Sequence, residues 1–212
     1  MNKIIVITGP TGVGKTKLSI YLAKKLNAEI INADSMQIYK KLNIGTAKVT
    51  NKEKENIIHH LFDIKEVNEE YSIYNYQIDA RNKINEIKSK NKNIIFVGGT
   101  GLYIKSALYD YKLNKENITY NYEDLSCEEL YNYLLELDPN IIIDKNNKRR
   151  LIRAINYYKE NNTSINNNKT NKLLYDTIFI GLTTDREKLY DIINKRVDKM
   201  IDNGLINEVK YF

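Results

Sequence analysis

The sequence predicts an α/β fold, a parallel sheet flanked by helices with a small helical insertion, on three observations. Four short β-branched runs, at 3–8, 29–32, 93–97 and 177–182, are apolar on nearly consecutive positions, as strands covered on both faces must be. Amphipathic segments separate the first three, as helices crossing back over a parallel sheet would. From about 111 to 173 the strand pattern vanishes and the composition shifts toward Tyr, Asn and Lys. The core domain is therefore expected at 1–110 and 174–212, with the helical insertion at 111–173.

Taken in order, the strand at 3–8 runs into a Gly-rich turn and a helix over 17–26, and the strand at 29–32 follows. The segment 71–90 repeats Ile73, Tyr76, Ala80, Ile84 and Ile87 at intervals of three and four, which makes one apolar helix face before the strand at 93–97. Inside the insertion, Ser126 and Glu129 have the spacing of a capping box, opening a helix with Leu130, Leu134 and Leu137 on one face. Asp138-Pro139 ends it. A second helix over 148–160 turns Leu151, Ile155 and Tyr158 inward, and the Asn-rich stretch 161–172 reads as a mobile loop. The strand at 177–182 rejoins the core. Asp185 is placed to cap a last helix with Leu189, Ile193, Val197 and Met200 on one side.

Composition narrows the function classes. The 212 residues carry 33 Lys and Arg against 27 Asp and Glu, a net charge of +6. That balance suits a polyanionic partner, because Lys and Arg neutralising phosphates supply most non-specific nucleic-acid affinity. Cys127 stands alone, so these residues form no internal disulfide, and with only His59 and His60 beside it no structural zinc set assembles. Only Ile4 to Ile7 are apolar before Thr8-Gly9-Pro10, too few for a signal-peptide core or a membrane span. The expectation is a cytoplasmic protein with no membrane partner.

The sharpest motif is Gly9-Pro10-Thr11-Gly12-Val13-Gly14-Lys15-Thr16, a complete G-x-x-x-x-G-K-T between a strand and a helix. Glycines turn backbone N–H groups toward phosphate oxygens, Lys15 adds a compact charge, Thr16 is the candidate ligand for Mg²⁺, and the helix N-terminus adds its dipole. The loop is expected to bind a di- or triphosphate on a P-loop NTPase-like core.

Asn32-Ala33-Asp34-Ser35 stands at the carboxyl end of the second strand, where ligands gather in open α/β sheets. Asp34 reads as a general base for a bound acceptor, as an outer-sphere Mg²⁺ partner, or as a cap for a following helix. Gly98-Gly99-Thr100-Gly101 follows the strand at 93–97. Thr100 there would bond substrate or fix Asp34, or the turn would only start a helix. Adjacent side chains point to different faces, so His59 and His60 are a poor chelate and are expected to be buried or hydrogen-bonded. Arg149 and Arg153, with Arg150 between them, share a helix face at i, i+4, either against a nucleic-acid backbone or in solvent. Arg186 and Arg196 lie about 80° apart around the last helix, close enough for both to reach one anion or for both to stay at the surface.

In order and spacing, GPTGVGKT, ADSMQIYKKLNIGTAK (33–48), HHLFDI, YSIYNYQ, GGTGLYIKSAL and DREKLYDIINKRVDKMIDNGLINEV (185–209) resemble the tRNA dimethylallyltransferases. The resemblance implies that the phosphate loop, with Arg186 and Arg196, holds dimethylallyl diphosphate, and that the acceptor is N6 of the adenosine on the 3′ side of the anticodon in tRNAs reading codons that begin with U. It casts Asp34 as the general base aided by Thr100, with Mg²⁺ as cofactor and the tRNA anticodon stem-loop as partner of a monomer. In the family the segment matching Asp34, Ser35, Met36 and Gln37 contacts tRNA, as does that matching Arg149, Arg150, Leu151, Ile152 and Arg153. The family usually has Gln-Arg-Leu-x-Arg where this chain has Arg149-Arg150-Leu151-Ile152-Arg153, and its Thr-Gly-x-Pro-x-Ser pattern survives only as 161–166. The stretch after Leu108 is shorter than in many members and offers no Arg for a contact often made there. Members continue well past a segment such as 204–209, so a C-terminal family region is expected to be missing. The competing readings are a small-molecule kinase, an adenylate isopentenyltransferase using a free nucleotide, and a truncated, non-catalytic tRNA-binding remnant.

Overall fold

A computed structural model describes residues 3–111, 113, 122 and 124–212, without the side chains of 167–171. Most of the stretch after Leu108 thus lies outside the described residues. In chain order the elements are β1 (Ile4–Thr8), α1 (Lys15–Leu26), β2 (Ala28–Asn32), α2 (Asn51–Lys54), β3 (His59–His60), α3 (Ile73–Ser89), β4 (Asn93–Val97), α4 (Gly101–Leu108), β5 (Tyr109–Tyr111), α5 (Cys127–Leu137), α6 (Lys148–Asn161), a 3₁₀ turn at Ile165–Asn168, β6 (Lys169–Leu173), β7 (Thr177–Gly181), α7 (Arg186–Asp202) and α8 (Leu205–Lys210).

Five strands form one parallel sheet in the order β3-β2-β4-β1-β7. β1 lies between β4 and β7, with Ile4 opposite both Ile94 and Thr177. One face buries Ile4, Val6, Ile31, Ile94 and Phe96 under Tyr76, Ala80, Ile84 and Ile87 of α3 and Ile104 and Ala107 of α4. The other face buries Ile5, Ile7, Ile30 and Ile95 under Ile20 and Ala23 of α1. Full burial of each such side chain contributes about 1.5–3 kcal/mol.

Local chemistry sets the helix ends. Ser72 caps α3 by accepting the Asn75 N–H, and Asn75 Oδ1 accepts the Ser72 N–H in return. Arg81 of α3 donates to the carbonyls of Ser106, Ala107 and Tyr109, satisfying the carboxyl end of α4.

The chain divides into two compact units, 1–109 with 172–212, and 110–171. The second unit packs Leu130 and Leu134 of α5 against Ile141 and against Leu151, Ala154 and Ile155 of α6. Ser126 and Glu129 form the capping box of α5, and α5 stops at Leu137 before Asp138-Pro139.

Four details differ from the sequence reading. β3, two residues long, is too short for any periodicity to reveal. The 161–172 stretch is not a loop throughout, because β6 forms a two-stranded sheet with β5 at the margins of the insertion. Backbone pairing there prevails over an Asn-rich composition. β7 is an edge strand rather than one covered on both faces, with Ile178 and Phe179 43% and 45% exposed. On α7, Val197 is 44% exposed, and Asp185 occupies the N-cap position without a side-chain cap bond, pairing instead with Lys188 at 3.1 Å.

Candidate active site

Parallel strands leave their carboxyl ends on one side of the sheet, and β1, β2 and β4 deliver there the three loops singled out above. β1 opens into the phosphate loop, whose glycines 9, 12 and 14 take φ values of 140°, 84° and 91°. Gly14 in the left-handed conformation precedes α1 without any side-chain cap, so the first helical N–H groups face the loop. Lys15 Nζ donates to the carbonyls of Gly9 at 2.8 Å and Pro10 at 2.7 Å, which holds the ammonium across the loop. Burial lowers its pKa from the ordinary lysine value, Asp34 opposes the shift, and Arg196 adds to it. Thr16, exposed at the start of α1, is the neutral oxygen available to a hard cation. Among the described residues no group of three or more His, Cys, Asp or Glu is placed to hold a metal ion.

The Asp34 loop is fixed from three sides. Asn32 Oδ1 accepts the Asp34 N–H at 3.0 Å, and Asn32 Nδ2 donates to the carbonyls of Asp34 and Leu61, each at 3.0 Å. Tyr76, fully buried and stacked on Tyr103 at 3.9 Å between centroids, donates its hydroxyl to the Asn32 carbonyl at 2.7 Å. Asp34 Oδ1 accepts the Met36 N–H at 2.9 Å in an Asx turn. No helix follows this turn directly, so Asp34 is not a helix cap; its other carboxylate oxygen makes none of the hydrogen bonds found among the described residues. Tyr103 is pushed up to about 12 by burial, with Tyr39 and Asp34 adding to the effect.

Thr100 anchors the Asp34 loop one residue away from Asp34 itself. Its Oγ1 accepts the Ser35 N–H at 3.1 Å and lies 3.4 Å from Ser35 Oγ, so it fixes the neighbour of Asp34 rather than Asp34 itself. Its own N–H donates to the Ala33 carbonyl at 3.0 Å. Gly98 makes that approach possible, since a Cβ there would lie 2.2 Å from the Ala33 carbonyl carbon. The Gly-Gly turn is thus a docking face for the Asp34 loop and not only a helix start.

Met36 is exposed beside this loop, and Gln37 Nε2 donates to the Thr46 carbonyl at 2.9 Å. On α7, Arg196 acts electrostatically on Lys15, whereas Arg186 Nε donates to the Tyr190 hydroxyl at 3.1 Å with its guanidinium 5.7 Å from that ring.

In the second unit Arg149, Arg150 and Arg153 are exposed on α6. Leu151, a candidate contact by its place in the motif, is fully buried in that unit's own core, and Ile152 is partly buried against it. Leu151 is therefore a packing residue. His59 and His60 point apart as expected: His59 Nδ1 meets the Ile57 carbonyl at 2.8 Å, and His60 Nε2 meets the buried Glu29 carboxylate at 2.6 Å.

Asn32 is the site residue that motif reading misses, because in the sequence it marks only the strand end before Asp34. A buried Asn closing an apolar strand must find partners, and that was the available signal.

With this geometry in place, the family model described as IPP transferase matches residues 37–212. The chain belongs to the IPP transferase family. Among family members, the tRNA dimethylallyltransferase of Anoxybacillus flavithermus is 50% identical across 98% of this chain and 70% of its own. That of Enterococcus faecalis is 48% identical across 99% and 72%. A solved structure of a eukaryotic dimethylallyltransferase acting on tRNA superposes with a TM-score of 0.91 at 33% identity, spanning all of this chain and 56% of that one. The tRNA isopentenylpyrophosphate transferase of Staphylococcus epidermidis gives 0.70 at 40% identity, spanning all of this chain and 73% of that one. These likenesses run to prenyl transfer and not to small-molecule phosphorylation. No helix among the described residues is long and apolar enough to cross a membrane.

Proposed function

We propose that the chain transfers a dimethylallyl group from dimethylallyl diphosphate to N6 of the adenosine 3′ of the anticodon, in tRNAs reading codons that begin with U. One observation carries the reading at the level of residues: the phosphate loop and Asp34 stand at the same end of one sheet, with the Asp34 charge acting on Lys15. A donor diphosphate held by the loop then lies beside a carboxylate suited to an incoming amine.

The N6 lone pair attacks C1 of the dimethylallyl group while the bond from C1 to the diphosphate oxygen breaks. The proton leaving N6 passes to the Asp34 carboxylate, and the departing diphosphate keeps the electron pair. Loop N–H groups, Lys15 and Arg196 face the negative charge that develops on it. Asn32, Tyr76 and Thr100 hold the Asp34 turn in place during transfer. Thr16 would hold Mg²⁺ at the start of α1, and the ion would supply charge neutralisation to the departing diphosphate. The acceptor base has to leave its stack to reach Asp34. Arg149, Arg150 and Arg153 contribute contacts to the tRNA backbone.

Diphosphate release tests the proposal. With dimethylallyl diphosphate and Mg²⁺, release should require tRNA, match the prenylated adenosine formed, and resist competition by free AMP. Competition by AMP would favour a free-nucleotide prenyltransferase, and rapid phosphoryl transfer from ATP to a small alcohol would sink the reading.

A further inference from the structure

α8 carries a half-buried carboxylate that is held by backbone amides. Glu208 Oε2 accepts the N–H groups of Asn43 and Ile44, each at 2.8 Å, and Oε1 accepts that of Gly45 at 2.9 Å. Three successive amides converging on one anion form a backbone nest, the arrangement that elsewhere binds free anions. Burial alone would raise the Glu208 pKa, but the three amide hydrogen bonds and the charge of Lys48 reverse that and hold it below the ordinary carboxylate range. Gly45 leaves the room required. A Cβ there would stand 3.1 Å from Leu205 Cδ1 and 3.5 Å from Glu208 Oε1. A second tie joins the same pieces, because Lys41 Nζ donates to the Tyr211 hydroxyl at 2.6 Å and lies 4.6 Å from that ring.

The nest continues into the recognition segment. The Asn43 carbonyl accepts the Lys48 N–H at 2.9 Å, and the Thr46 hydroxyl donates to the Leu42 carbonyl at 2.6 Å. The Thr46 carbonyl accepts from Gln37 Nε2. Lys48, its side chain buried, donates to the Tyr39 carbonyl and to Asp63, each at 2.6 Å. Every contact in this series lies within the unit formed by 1–109 and 172–212.

We infer that Glu208 is a positioning residue for RNA recognition: its carboxylate in the nest at 43–45 locks the loop whose Thr46 carbonyl orients Gln37 toward the tRNA. The inference rests on the reading of 34–37 as a tRNA-contacting segment. It makes α8, far along the chain from that segment, a determinant of RNA affinity with no direct part in donor binding or proton transfer.

The test compares Glu208→Ala, Glu208→Gln, Gly45→Ala and Gln37→Ala in the 212-residue chain. Affinity is measured separately for an anticodon stem-loop RNA and for dimethylallyl diphosphate, with the thermal midpoint and amide exchange at 43–45. Glu208→Ala should weaken RNA binding about tenfold or more, leave donor affinity within twofold, and speed exchange at the three amides. Glu208→Gln, which keeps one acceptor oxygen, should fall between it and the native chain. Gly45→Ala, which crowds the nest without touching the carboxylate chemically, should shift RNA affinity in the same direction. Equal loss of donor and RNA binding would show a general folding role and overturn the inference, as would unchanged amide exchange. If Gln37→Ala weakens RNA binding while Glu208→Ala does not, the positioning role alone fails. If neither weakens it, the reading of 34–37 as an RNA contact has failed, and the inference falls with it.

Discussion

The Thr100 hydroxyl accepts the Ser35 N–H at 3.1 Å, tying the start of α4 to the loop that carries Asp34. Two loops from different strands thereby behave as one body, and the candidate base inherits the rigidity of the sheet beneath it. Thr100→Val keeps the shape and removes the acceptor. Steady-state kinetics should show kcat lowered by about tenfold, with donor affinity unchanged. A native kcat in that variant would remove Thr100 from the account.

Lys15 gives a pH dependence of known sign. Because burial lowers its pKa, the ammonium loses its proton at a lower pH than an ordinary lysine. Affinity for dimethylallyl diphosphate should therefore decline as pH rises through that lowered value, before free lysine titrates. Calorimetric titration across the alkaline range reads it, and Lys15→Ala should be weaker by about tenfold or more and flat over the same range.

Glu29 supplies the stability counterpart. It is 1% exposed and bound by His60 at 2.6 Å and Lys92 at 2.8 Å. Burial would raise its pKa, but those two hydrogen bonds and the charges of Lys92 and Lys90 hold it below the ordinary carboxylate range. A depressed carboxylate contributes fully above about pH 4.3, its unfolded value, and its contribution is lost as pH falls through the folded value. Glu29→Gln should cost about 3 kcal/mol at pH 7 by urea unfolding. The difference from the native chain should narrow as pH drops below about 4.

The second unit separates packing from contact on adjacent positions. Leu151→Ala should destabilise by about 3 kcal/mol, through the cavity it leaves among Leu130, Leu134 and Ile155. Arg149→Ala should leave stability within about 0.5 kcal/mol. It should weaken tRNA binding at low salt and reduce the salt slope by about one. Filter binding across a salt series, beside thermal unfolding, distinguishes the two.

What the sequence makes legible follows from how local its causes are. The apolar runs of β1, β2, β4 and β7, the stripe of α3 and the capping box of α5 depend on neighbours within a few residues, and each is found in place. The phosphate loop is equally local, because its glycines and Lys15 act within one turn. Legibility stops where partners are remote. Nothing in the Thr100 neighbourhood announces Ser35, 65 residues earlier, and nothing in α8 announces a nest 163 residues away at Gly45. Motif position also misassigned Leu151, since a residue inside an RNA-contacting motif can serve the core behind it.

The central claim is prenyl transfer to tRNA with Asp34 taking the proton, and mass spectrometry of nucleosides tests it most directly. The 212-residue chain and its Asp34→Asn variant are incubated with Mg²⁺, dimethylallyl diphosphate and unmodified tRNA carrying adenosine 3′ of the anticodon. The account predicts isopentenyladenosine from the native chain, and a rate at least about a hundredfold lower from the variant with tRNA binding nearly intact. No modified nucleoside from a native chain that binds both substrates, or an undiminished rate from Asp34→Asn, would contradict it.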